Sequence, residues 1–132
     1  MSRALRLAVA ALVAVTGGLV TAACGGDEAQ PKLEVSSGAA KDQPADHEYV
    51  IPYGTQRRIA SGEDLEIMPR RLEVEVGESI KITNDDSEGA FVGIFYVGAG
   101  ETVRMTFTTP GVLSGKCDVS SSGEFTIDVR DA

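Results

Sequence analysis

Between Tyr49 and Val129 the chain alternates apolar and polar residues with a period of two and breaks at turn residues every few positions, a pattern that few folds accept. Leu72, Val74 and Val76 point one way while Glu73 and Glu75 point the other, as successive side chains on a strand must. After Gly77-Glu78 the alternation resumes at Ile80 and Ile82 and runs to Asn84. Asn84-Asp85-Asp86-Ser87-Glu88-Gly89 reads as a polar turn, and Phe91 to Val97 as one strand apolar enough to be buried on both sides. Gly98-Ala99-Gly100-Glu101 leads into an inward row of Val103, Met105 and Phe107, and Pro110-Gly111 turns into Val112-Leu113. Phe125, Ile127 and Val129 form the last row, and Tyr49-Val50-Ile51-Pro52 a short first strand that Pro52 ends. No stretch of useful length carries a helical period. Short strands at this spacing predict an all-β domain, an antiparallel β-sandwich over residues 48–131.

A chain of 132 residues suits one such domain. Its net charge of −8 argues against a nucleic-acid partner, because the longest basic runs are the pairs Arg57-Arg58 and Arg70-Arg71. His47 is the single histidine, so any site that needs two imidazoles is excluded. No G-x-S-x-G nucleophile motif occurs either, and no enzyme is expected.

Residues 1–23 are an address. Arg3 and Arg6 precede an apolar run from Leu7 to Val15 with small residues after it, the layout of a secretory signal peptide. Gly17-Gly18 interrupts the run, which is at the short end for a membrane span. Thr21-Ala22-Ala23-Cys24, followed by Gly25-Gly26, resembles a bacterial lipobox, with Thr21 where Leu, Val or Ile is usual. That resemblance implies a lipoprotein: Cys24 becomes the first mature residue, carries acyl chains such as palmitate, and holds the protein to the extracytoplasmic face of the cell membrane. The lipid alone would hold it, since an acidic chain gains nothing from an anionic surface. Cys117 is then left without a partner in the chain. Residues 24–47, rich in Gly, Ser, Ala, Pro and acid, read as a flexible tether, with Leu33-Glu34-Val35 too short to change that.

The order of motifs in the folded part resembles a cupredoxin. Val74-Glu75-Val76-Gly77-Glu78-Ser79-Ile80-Lys81-Ile82-Thr83-Asn84-Asp85-Asp86 is similar to that family's strand, glycine-acid turn, strand and Asn corner. Val97-Gly98-Ala99-Gly100-Glu101, Thr109-Pro110-Gly111 and a Cys six residues after Gly111 follow in the family's order. The start, Ile51-Pro52-Tyr53-Gly54-Thr55, is similar to small cupredoxin-like lipoproteins of actinobacteria. The resemblance implies a Greek-key sandwich of 6–8 strands with a copper site at one end. Blue copper needs two imidazoles, a thiolate and a weak axial ligand. The family's spacing puts its first His at Ala90, its second at Ser120 and an axial Met at Gly123, so of the four ligands only Cys117 is present.

Two functions remain open. In the first, the protein is a non-enzymatic binding module with a degenerate copper site and no cofactor, whose contact region for a protein or small molecule is the end carrying Ala90, Phe91, Cys117, Ser120 and Gly123. In the second, it binds copper or carries electrons through a non-standard site in which Met68 or His47 assists Cys117. Among the remaining polar groups, Asn84 is expected to cap its corner, Asp85, Asp86 and Glu88 to be solvated turn acids, and Ser120-Ser121-Ser122-Gly123 to be a flexible loop.

Overall fold

The computed structural model describes residues 33–36 and 38–132. The expected signal peptide, Cys24 and residues 25–32 lie outside the described residues. In chain order the elements are β1 (Leu33–Ser36), a short 3-10 turn (Gly38–Asp42), β2 (His47–Ile51), α1 (Thr55–Ala60), β3 (Arg71–Glu75) and β4 (Ser79–Asn84). There follow β5 (Ala90–Val92), β6 (Phe95–Val97), β7 (Thr102–Phe107), β8 (Gly111–Lys116) and β9 (Glu124–Arg130). The domain is an all-β sandwich. One sheet has the order β1-β7-β4-β2, the other β3-β9-β8, and β5-β6 is a separate two-stranded ribbon.

The alternating rows face each other across the sandwich. Leu72 and Val74 on β3 and Phe125, Ile127 and Val129 on β9 are buried, while Arg71, Glu73 and Glu75 face out. From the other sheet come Ile51, Ile80, Ile82 and Phe107. Phe95, Phe107 and Phe125 are among the largest fully buried side chains, each stabilising the fold by about 1.5–3 kcal/mol through burial. Val103 and Met105 are only half-buried and pack against this core.

Three features depart from the sequence expectation. The strands are not antiparallel throughout: β2 lies parallel to β4 with His47 opposite Ile80, and β3 lies parallel to β9 with Arg71 opposite Thr126. The predicted single strand Phe91–Val97 is instead a hairpin, because Gly93 takes a left-handed φ of 61° and reverses the chain there. Residues 24–47 are not all tether. Leu33–Ser36 pairs antiparallel with β7, Leu33 opposite Phe107 and Ser36 opposite Arg104, and β2 starts at His47.

The turn before β2 is also tied to the sheet. Ser79 donates to the Asp46 carboxylate from its amide (2.8 Å) and its hydroxyl (3.0 Å), and Arg104 donates to the Pro44 carbonyl. The two Ser79 bonds hold the Asp46 carboxyl below its ordinary pKa, with the Ser79 amide contributing most. Deleting residues 25–42 removes the β1 ladder and should lower stability by about 1–2 kcal/mol, or roughly 5–10 °C in Tm. A melting curve that does not move would mean that β1 adds nothing to the sheet.

Candidate functional site

The strand registers define two ends of the sandwich. Gly77 and Glu78 join β3 to β4 at one end, where Gly77 N–H donates to the Phe107 carbonyl and Val76 N–H to the Arg130 carbonyl. Asn84, Thr102, Lys116 and Glu124 lie at the other. The candidate site is built at this Asn84 end.

Asn84 is fully buried and acts as the corner cap. Its amide donates to the carbonyls of Glu88 (2.8 Å) and Val97 (3.1 Å), and its Oδ1 accepts from Asp86 N–H at 2.9 Å. The expectation that Asp86 is a solvated turn acid is corrected here, because Asp86 is 4% exposed. Its carboxylate accepts from the amides of Gly54 (2.9 Å), Gln56 (2.9 Å) and Ser87 (2.7 Å). The motif Ile51-Pro52-Tyr53-Gly54-Thr55 thereby fastens α1 to the corner, and Gln56 adds a bond to the Gly89 carbonyl at 2.6 Å. Burial is the largest single influence on the Asp86 carboxyl and raises its pKa. The amide bonds from Gln56, Gly54 and Ser87 together outweigh it and leave the group more acidic than usual.

The β5-β6 hairpin then bridges to the second sheet. Val92 forms a β-bridge with Cys117, Asp118 N–H donates to the Phe91 carbonyl (2.8 Å) and Gly93 N–H to the Lys116 carbonyl (2.7 Å). The Asp118 carboxylate accepts from Phe91 N–H at 2.9 Å. The serine loop, expected to be flexible, is pinned. Cys117 N–H donates to the Gly123 carbonyl, Gly123 N–H to the Ser120 carbonyl, and Ser121 N–H to Leu65. Glu66 bridges Ser120, and the Ser120 and Ser122 hydroxyls bond each other at 2.9 Å.

Ala90, Cys117, Ser120 and Gly123 are thus brought to one end. Ala90 and Val92 are both fully buried on β5, Cys117 is 3% exposed and Ser120 is 5% exposed. Met68 is buried in the same core, on the segment that runs beside the serine loop. His47 is not brought there. It pairs with Ile80 at the Gly77 end, where its Nε2 lies 3.4 Å from Glu78, so the set Cys117, Met68 and His47 is not gathered in one place.

At the positions where the cupredoxin resemblance implies copper ligands stand a methyl group, a hydroxyl and a hydrogen beside one thiol, a donor set without the two imidazoles of blue-copper geometry. Burial, the main influence, raises the Cys117 thiol pKa and the nearby Asp118 charge adds to it, so the thiolate form is disfavoured. Among the described residues no group of three or more His, Cys, Asp or Glu side chains is placed to hold a metal ion.

What this end does present is aromatic. Phe91 is 47% exposed, Ile94 42% and Tyr96 58%. The Phe91 and Tyr96 rings, opposite each other in the hairpin, have centroids 5.0 Å apart. The Lys116 ammonium sits 5.9 Å from the Phe91 centroid and 2.6 Å from the Asp118 carboxylate. Reading Phe91–Val97 as doubly buried hid Ile94 and Tyr96 as surface residues. Gly93, a turn former in the middle of the apolar run, was the signal for a hairpin.

No protein-family model matches this chain, and no curated protein matches it. Among solved structures it is similar to oxidised amicyanin carrying a methionine-to-leucine substitution (16% identity, 75% of this chain and 99% of that one, TM-score 0.46). It is also similar to oxidised amicyanin carrying a methionine-to-lysine substitution (16% identity, the same coverage, TM-score 0.47). A reduced Cu(I) form of amicyanin at pH 4 aligns at 18% identity over 75% of this chain and 99% of that one, with a TM-score of 0.44.

Proposed function

We propose that this protein is a lipid-anchored, extracytoplasmic and non-enzymatic binding module, in which a cupredoxin-like sandwich keeps the frame of a copper site without its ligands. The observation that carries this reading is the exposed apolar face of Phe91, Ile94 and Tyr96, next to a thiol position with no imidazole beside it. Large exposed apolar side chains grouped on one rigid element favour contact with a partner. A macromolecule suits this end better than a small molecule. Two clefts beside the serine loop, which share Asp64 and Ser121 in their linings, hold about 190 and 290 Å³, each below the roughly 300–1,000 Å³ of small-molecule sites.

Adding Cu(II) to the purified protein tests the reading. The expected result is no intense visible thiolate-to-copper band and no metal-dependent change in melting. A strong band lost in Cys117→Ser would instead establish the second reading, a copper-binding or electron-transfer protein. Met68, which shares the buried core with Cys117, is the soft second ligand which that reading names.

A further inference from the structure

We infer that the chain associates with a second copy of itself through β3, the two strands running antiparallel about Glu73 so that two three-stranded sheets become one of six. The inference goes beyond the binding-module reading and does not depend on it.

β3 is an outer strand of its sheet, in the order β3-β9-β8, and among the described residues no strand pairs with its other side. Thr126 N–H donates to the Arg70 carbonyl and Val76 N–H to the Arg130 carbonyl. In a parallel ladder of this register the even-numbered residues of β3 turn their main-chain groups to β9, and Arg71, Glu73 and Glu75 turn theirs to the open edge. Glu75 N–H shows the direction, since it donates to the Glu78 carboxylate at 2.7 Å. The main-chain groups of Arg71 and Glu73 and the Glu75 carbonyl are placed to accept another strand.

The charges along the edge select that strand, because the edge starts basic and ends acidic. Arg70 lies 3.9 Å from Glu66 and Arg71 2.6 Å from Asp128. Glu73 pairs with Arg130, and Glu78 lies 3.4 Å from His47. Exposed Glu75 stands between them. The cleft of about 350 Å³ at this end holds the carboxylates of Glu73, Glu75 and Glu78 against one guanidinium, Arg130, and the His47 imidazole. An antiparallel copy centred on Glu73 sets its Arg71 opposite Glu75 and its Leu72 opposite Val74 on the core side, each twice over by symmetry. The one like-charge pair in this ladder is Glu73 against itself, and each Glu73 keeps its own Arg130. Shifting the copy towards the acidic end puts Glu73 against Glu75, and an in-register parallel copy puts Arg71 beside Arg71. A five-residue edge buries less than the ~800 Å² per partner of a stable dimer. The contact is therefore weak and reversible, and the same outward charges keep the edge from pairing at random.

The test traps the contact with single cysteines in the full chain, in intact cells treated with the thiol oxidant diamide. In the antiparallel ladder position 73 faces itself at a Cα separation of about 5.5 Å, within disulfide range. Position 75 faces position 71 of the other copy, so the two 75 positions are about 14 Å apart. Glu73→Cys should give a disulfide-linked homodimer in about tenfold higher yield than Glu75→Cys, and the parent chain, with Cys117 3% exposed, should give none. In the Glu73→Cys background Arg71→Glu should cut the yield about tenfold, and Arg71→Glu/Glu75→Arg should restore it. Restoration separates pairing from damage to the fold, since both variants lose the Arg71–Asp128 bond. Equal yields at positions 73 and 75 or in the parent, a disulfide to a different protein, no dimer at 73, or a charge swap that restores nothing would each overturn the inference.

Discussion

Asp86→Ala is expected to lower the unfolding free energy by about 3 kcal/mol, against a few tenths for an exposed turn acid such as Asp85. The loss comes from donors. With the carboxylate gone, the amides of Gly54, Gln56 and Ser87 lose their acceptor in a site where Asp86 itself is 4% exposed. α1 then loses its fastening to the corner that positions β5. Asp86→Asn keeps one acceptor oxygen and should cost less. The same carboxylate makes stability depend on pH. Its folded pKa lies below the ordinary 3.8, so its contribution is complete above the unfolded pKa and is lost as pH falls through the depressed value. Asp118 adds a loss of the same sign. Burial, the largest single influence, raises its pKa, but the bonds from Lys116 and Phe91 leave it lowered. Urea unfolding between pH 7 and pH 3 checks both points. Stability should drop below about pH 4, and the Asp86→Ala variant should show a shallower drop from a lower plateau. An Asp86→Ala protein as stable as its parent would mean that water replaces the carboxylate at no cost.

Gly115→Ala is the second large expected effect, and it reports on how the β5-β6 hairpin is seated on β8. A Cβ at position 115 would stand 2.5 Å from the Gly93 carbonyl oxygen and 2.7 Å from its carbon. Both are backbone atoms and no rotamer relieves the contact. The hairpin must move off β8, which weakens the Gly93 N–H bond to Lys116 and the Val92–Cys117 bridge. A cost of about 2–3 kcal/mol follows, at the upper end for overpacking. Amide chemical shifts should move at residues 91–96 and 116–118. Ser114→Ala, on the exposed face of the same strand, is the control and should change neither. If Gly115→Ala left melting and shifts as they were, the hairpin would not be seated on β8 as described.

Strand identity and inward faces were readable from residues 72–76, 80–82 and 125–129, because alternation is a local property and a one-residue slip would put every apolar side chain in water. The turns at Gly77-Glu78 and Pro110-Gly111 were readable for the same reason, since their residue types state their own backbone preference. Counting from Asn84 and Cys117 also marked positions that the fold gathers at one end.

Contacts between distant segments were not readable. Asp86 and Glu88 look alike in sequence, yet only Asp86 is buried, and its partners Gly54 and Gln56 lie 32 and 30 residues away. Leu33–Ser36 is too short to declare itself a strand, and only the edge of β7 makes it one. His47 gives no local sign of the end at which it will lie; its parallel pairing beside Ile80 decides that. The face formed by Phe91, Ile94 and Tyr96 exists because Gly93 reverses a run that composition alone assigns to the core. Periodicity tells which side chains share a face, but only packing against other segments decides whether that face meets the core or the solvent.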